Sequence, residues 1–164
     1  MKKIATSLFL LSFFILTFAG ISPKPGSNTS NNCDVKALKK EGISQLSPYY
    51  YSSSKVTSIS YADTVQYREI EVPLFKGEKY RMVFNSKALP KGITVEVFDK
   101  DRSHDGRSAL YSTNTNEEKM AIYEPDNAKR HYVRYSIPAG ANIENSCMVF
   151  VLGYQLTFIE NTEE

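Results

Sequence analysis

The sequence predicts an all-β protein: an antiparallel β-sandwich of about eight strands, jelly-roll-like, with one short N-terminal helix. Three observations carry this. From Tyr49 onward, tyrosine and β-branched residues fall in short alternating runs; turn signals separate those runs; and no helical stretch intervenes to carry a parallel crossover. The chain has 164 residues, 41% of them apolar, which suits one globular domain and excludes disorder throughout.

The N-terminus reads as an export address. Lys2 and Lys3 precede a nearly unbroken apolar run from Ile4 to Phe18, and Thr17 and Ala19 supply the small residues for cleavage before Gly20; cleavage after Ser22 is the alternative. The run is near the lower limit for a membrane span, and a lipoprotein would need a cysteine just after it, whereas Cys33 lies beyond a polar stretch. The domain organisation expected is therefore a signal peptide over 1–19, a flexible leader over 20–32, one sandwich domain over 33–159 and a disordered tail over 160–164. Asn28-Thr29-Ser30 in the leader matches a glycosylation acceptor, although the Met-Lys-Lys start has a bacterial look. Removing the signal also changes the charge. The formal +2 belongs to Lys2 and Lys3; from Gly20 on, 18 basic residues face 18 acidic ones. A neutral chain of this kind argues against nucleic acid as a partner and leaves no integral membrane span after processing.

Cys33 and Cys147 are the only cysteines, and in an oxidising compartment they are expected to form one disulfide, the alternative being two separate buried thiols. Neither has the spacing of a redox pair or zinc knuckle. Asp34 is placed to cap a helix whose narrow apolar face is Val35, Leu38, Gly42 and Leu46; Gly42 is a second possible end, and Pro48 stops any continuation. Strands are predicted near 56–61, 66–74, 79–85, 94–99, 108–112, 119–123, 132–137 and 147–158. The last is the clearest. Met148, Phe150, Leu152, Tyr154, Leu156 and Phe158 occupy one face, while Val149 and Val151 make the other face apolar early on, so this strand should be central in its sheet.

Asp99-Lys100-Asp101-Arg102-Ser103-His104-Asp105-Gly106 places oxygen side chains at alternate positions, a pattern suited to Ca2+, with Asp99, Asp101, Ser103 and Asp105 as candidate ligands. His104 stands where an EF-hand loop needs glycine, and Leu110 where it needs glutamate; a solvated hairpin tip explains the same residues. Val95 to Arg102 resembles the C2-domain strand and loop ending in a calcium-binding aspartate pair, which implies calcium bridging to acidic phospholipid. A second aspartate pair in an earlier loop is missing. Phe75 to Phe84 followed by Ile93 to Lys100 is similar to the central strands of bacterial pre-peptidase C-terminal domains. Val72 to Arg81 and Phe150 to Tyr154 resemble small uncharacterised exported proteins of Gram-negative bacteria. Both resemblances imply export and a β-sandwich, and neither supplies a catalytic residue.

Catalysis has little support in the sequence. His104 and His131 have no evident nucleophile or ligand partner, and there is no G-x-S-x-G, H-E-x-x-H or phosphate-cradling glycine loop. A glycosidase-type carboxylate pair meets in space and leaves no spacing to read. Tyrosine is plentiful at 11 residues, and Tyr49, Tyr50 and Tyr51 form a candidate binding surface; strand propensity and packing at the rim of a sandwich explain the same excess. The function expected is that of a periplasmic or secreted, non-enzymatic module that binds a protein or glycan of the cell envelope, without a cofactor. A Ca2+-dependent ligand- or lipid-binding domain is the alternative, and a glycan-active hydrolase a third.

Overall fold

A computed structural model describes residues 33–89, 92–140 and 146–157. The expected signal peptide, leader, tail and Phe158 lie outside the described residues.

Helix α1 runs Val35–Ser44, and Asp34 caps it as expected, its Oδ1 accepting from the Ala37 amide at 3.0 Å. Gly42 does not end it. Gly42 is instead a point of close approach, because a Cβ there would lie 2.8 Å from Val151 Cγ2. Leu38, Gly42 and Leu46 are buried as the spacing predicts, whereas Val35 in the first turn stays exposed.

Eight strands follow: β1 Tyr50–Ile59, β2 Gln66–Val72, β3 Glu78–Asn85, β4 Thr94–Phe98, β5 Tyr111–Asn114, β6 Met120–Tyr123, β7 His131–Ile137 and β8 Ser146–Leu156. They form two four-stranded sheets, ordered β1-β8-β3-β6 and β2-β7-β4-β5. Every pairing within them is antiparallel, and the first strand pairs the eighth, the second the seventh, the third the sixth and the fourth the fifth. This is one long hairpin wrapped into a sandwich, the jelly-roll order. β8 is central as predicted, flanked by β1 and β3. The largest difference from the sequence reading is β1, which starts six residues early. Tyr50–Lys55 has little strand pattern of its own and is held by the ladder that β8 offers, from Tyr50↔Tyr154 to Ile59↔Ser146.

The two faces of β8 serve two cores. Met148, Phe150 and Leu152 pack between the sheets with Ile70, Val72, Phe84, Val97 and Tyr135. Val149 and Val151 face outward and meet Leu38, Leu46, Val83 and Ala88 beneath α1, with Cys147 in the same cluster. Cys33 is bonded to Cys147 with their Cα atoms 5.5 Å apart, so the disulfide pins the start of α1 to the central strand. Buried Asn85 reinforces the contact, donating to Leu38 O at 2.9 Å and to Glu41 Oε2 at 3.2 Å. No helix among the described residues is long and apolar enough to cross a membrane.

Candidate functional site

The two flanks of the sandwich are finished differently. Where β5 and β6 meet, Tyr111 stacks on Tyr123 with centroids 5.0 Å apart and also lies 6.4 Å from Phe84, so aromatic rings fill the gap between the sheets. On the opposite flank, β1 and β2 are both edge strands. Directly paired residues of neighbouring strands share a face. Ser53, Lys55 and Thr57 pair with Leu152, Phe150 and Met148, all members of the inter-sheet core, so these three polar residues hold inward positions. On β2 the inward positions of Ile70 and Val72 continue by alternation to Arg68 and Gln66.

The result is a cleft of about 290 Å³ between the two edges, lined by Ser52 to Lys55, Ile70 to Pro73, Phe75, Phe150 and Leu152. A second hollow of about 360 Å³ shares Ser52, Pro73, Phe75 and Leu152 with it and extends past Tyr80 and Tyr154 to Leu156. Phe75, 66% exposed, stands at the junction. Its backbone is fixed, because the Phe75 amide donates to the Tyr80 hydroxyl at 3.0 Å and that hydroxyl donates in turn to Glu78. Burial and then the Glu78 carboxylate push the Tyr80 phenol up to about 12, so it remains a proton donor at physiological pH.

Of the two nearby cations only Lys55 lines the cleft, and both it and Arg68 are exposed to solvent. Among the described residues neither Lys55 nor Arg68 has a carboxylate partner; Arg68 Nη2 donates only to Gln66 Oε1, at 3.3 Å. Glu71, at the lip, is already paired with Arg130 at 2.9 Å. Behind Thr57 lies the fully buried Tyr135, whose hydroxyl has no partner in hydrogen-bond geometry. Burial raises its pKa, and the neighbouring Thr57 hydroxyl partly offsets that.

The residues singled out from the sequence lie away from this cleft; Tyr49, Tyr50 and Tyr51 together line a separate hollow of about 390 Å³ with Ile43, Leu46 and Pro48. The aspartates occupy the long β4–β5 connection, a hairpin tip that closes on itself. Asp101 Oδ1 accepts from the Ser103 amide at 2.8 Å, from the Ser103 hydroxyl and from His104 Nδ1 at 3.2 Å. The Ser103 bonds and then His104 hold the Asp101 carboxyl down to about 2. Among the described residues no three His, Cys, Asp or Glu side chains gather into a metal site. Arg107 ties the loop down, donating to Lys100 O at 2.9 Å, pairing with Glu69 and lying 4.0 Å over the Phe98 ring.

Tyr49 is a packing residue, bonded to Glu124 at 2.9 Å with Arg81 4.6 Å over its ring. Tyr51 faces α1, with Lys39 5.0 Å over its ring. Tyr50 is 68% exposed, with its ring 6.1 Å from that of Tyr154. His131 is fully buried with Nδ1 2.8 Å from Lys129 O. Glu69 and Glu96 flank Arg134 across the second sheet, but each is ion-paired with an arginine.

Sequence reasoning missed Ser53 and Lys55 as cleft residues. The available signal was the absence of any apolar face in Ser52–Lys55 beside a strand that must pack. A scan of protein-family models and a search of curated protein sequences find no match to this chain.

Proposed function

We propose that this chain is an exported, non-enzymatic β-sandwich module that binds a component of the cell envelope or its surroundings, and that the binding surface is the β1/β2 cleft. The observation that carries the reading is the asymmetry of the flanks. One is sealed by stacked tyrosines, and the other is left open with apolar walls and polar inward residues. Export is supported by the apolar run behind Lys2 and Lys3 and by the Cys33–Cys147 disulfide, a bond that persists in oxidising compartments. The resemblance to small exported sandwich proteins of Gram-negative bacteria points the same way.

The test is retention of an envelope or culture-fluid component by the immobilised exported protein, compared with Ser53→Trp, which fills the cleft, and Asn114→Trp on the opposite flank. Loss with Ser53→Trp alone, at unchanged Tm, is the expected result. Equal retention by both variants, or retention of nothing, overturns the assignment.

A further inference from the structure

We infer that the occupant of the β1/β2 cleft is an uncharged, extended oligosaccharide that lies along β8, with a sugar ring on Phe75 and hydroxyls on the serines of β1. The inference rests on the cleft being a binding site and adds the chemistry of its ligand.

The cleft and the second hollow form one groove, because Ser52, Pro73, Phe75 and Leu152 line both. Its floor and its rim differ in chemistry. The buried lining residues Ile70, Val72, Phe150 and Leu152 present only carbon, whereas Ser52, Ser53, Lys55 and Glu71 are exposed at the rim. Ser54 is bonded to Tyr51 at 3.1 Å, but the Ser52 and Ser53 hydroxyls have no bonded partner among the described residues. Glu78 accepts from Tyr80 through Oε2 and keeps Oε1 as an acceptor. Since Glu71 is taken by Arg130, one ammonium and one carboxylate are left to meet a ligand, and neither sign dominates.

A pyranose is divided in the same way, with carbon-bound hydrogens on its faces and hydroxyls, each both donor and acceptor, around its edge. Phe75 is the ring to receive such a face. It is 66% exposed, and the bond from its amide to the Tyr80 hydroxyl fixes its backbone before any ligand arrives. The negative face of the ring attracts hydrogens made positive by neighbouring oxygens. Tyr154 supplies a second ring in the far hollow. Along β8 the groove runs from Phe150 to Leu156, roughly 20 Å and straight, which selects an extended β-linked chain over a monosaccharide or a coiled α-linked one.

Two other ligands fit less well. An alkyl chain would strip water from Ser52, Ser53 and Glu78 and give nothing back. A peptide adding as a strand meets blunted edges, because a bulge at Ser52 and the inward-positioned Lys55 interrupt β1 and Pro73 follows β2.

The experiment is calorimetric titration of the exported protein, disulfide intact, with chitotetraose, cellotetraose and maltotetraose, and with the disaccharide of each. Chitotetraose or cellotetraose should bind at one site per chain, severalfold tighter than its disaccharide, and maltotetraose should bind about tenfold more weakly. Phe75→Ala should weaken binding by about tenfold at unchanged Tm, with Phe75→Tyr retaining it and Leu110→Ala, at an exposed site before β5, without effect. No binding of either β-linked tetrasaccharide, equal binding of maltotetraose, or full binding by a folded Phe75→Ala variant overturns the inference; the first two are read on the unaltered protein. If no sugar binds while Ser53→Trp still abolishes retention of an envelope component, and protease treatment of that component abolishes it too, the ligand is a protein and the binding-module reading stands. If no sugar binds and Ser53→Trp changes nothing, both fall.

Discussion

Arg81 Nη2 lies 2.6 Å from Glu124 Oε1, and Nε of the same guanidinium donates to that oxygen at 2.7 Å. The pair joins β3 to the segment after β6. Through Nη1, which donates to Gln45 O at 3.1 Å and Ser47 O at 2.6 Å, it also holds the turn between α1 and β1. Tyr49 completes the cluster by donating to Glu124 Oε2. Burial alone would raise the Glu124 carboxyl, but the bonds from Arg81 and Tyr49 outweigh it and leave it lowered.

A lowered carboxyl stabilises the fold above its unfolded value of about 4.3, and that contribution disappears as pH falls through the folded value. Glu124→Gln should therefore lower Tm at pH 7 and leave it less changed at pH 3. Glu124 is nearly half exposed, so the loss should be about 1 kcal/mol or less. Thermal melts of both proteins across this range check it; an equal deficit at both pH values contradicts the assignment.

Gly42 and Val151 set the distance between α1 and the sheet. Alanine in a helix interior gains about 1 kcal/mol over glycine, but the clash with Val151 Cγ2 is of the kind that costs about 1–3 kcal/mol. Gly42→Ala should be destabilising in the wild-type background and stabilising beside Val151→Ala. A double-mutant cycle by urea unfolding reads the coupling, and strict additivity would show that the helix simply moves away.

The disulfide closes a loop of 114 positions. In the chain-entropy model such a bridge is worth about 4–5 kcal/mol, a large share of the stability of a domain this size. Replacing Cys33 and Cys147 together by serine should lower the urea midpoint markedly, and reductant should affect only the wild-type protein. An unchanged midpoint in the double variant would mean that the second core alone holds α1.

The β4–β5 tip is expected to be self-contained. Millimolar Ca2+ should give neither binding heat nor a shift in Tm, because the Asp101 oxygen is occupied by Ser103 and His104. Ser103→Ala should raise the Asp101 pKa from about 2, observable by NMR titration. A Ca2+-dependent rise in Tm that Asp101→Asn removes would restore the metal reading.

The alternation of Met148, Phe150 and Leu152 with Val149 and Val151 required a central strand with a core on each side, and the structure places it so. Asp34 marked the start of α1, and each of the eight strands overlaps its predicted position. These features were legible because apolar period, capping and turn chemistry are local properties of the chain. The open flank was not. Ser52 to Lys55 is polar on both faces, so its own pattern names no inside; a bulge at Ser52 then shifts the register with β8. Only pairing with Leu152, Phe150 and Met148 turned Ser53, Lys55 and Thr57 toward the core, and only the wrapping of the hairpin brought Arg68 to the same flank. The direction a polar edge strand faces is set by its neighbour's hydrogen bonds, and that information lies a hundred residues away in the chain, on β8.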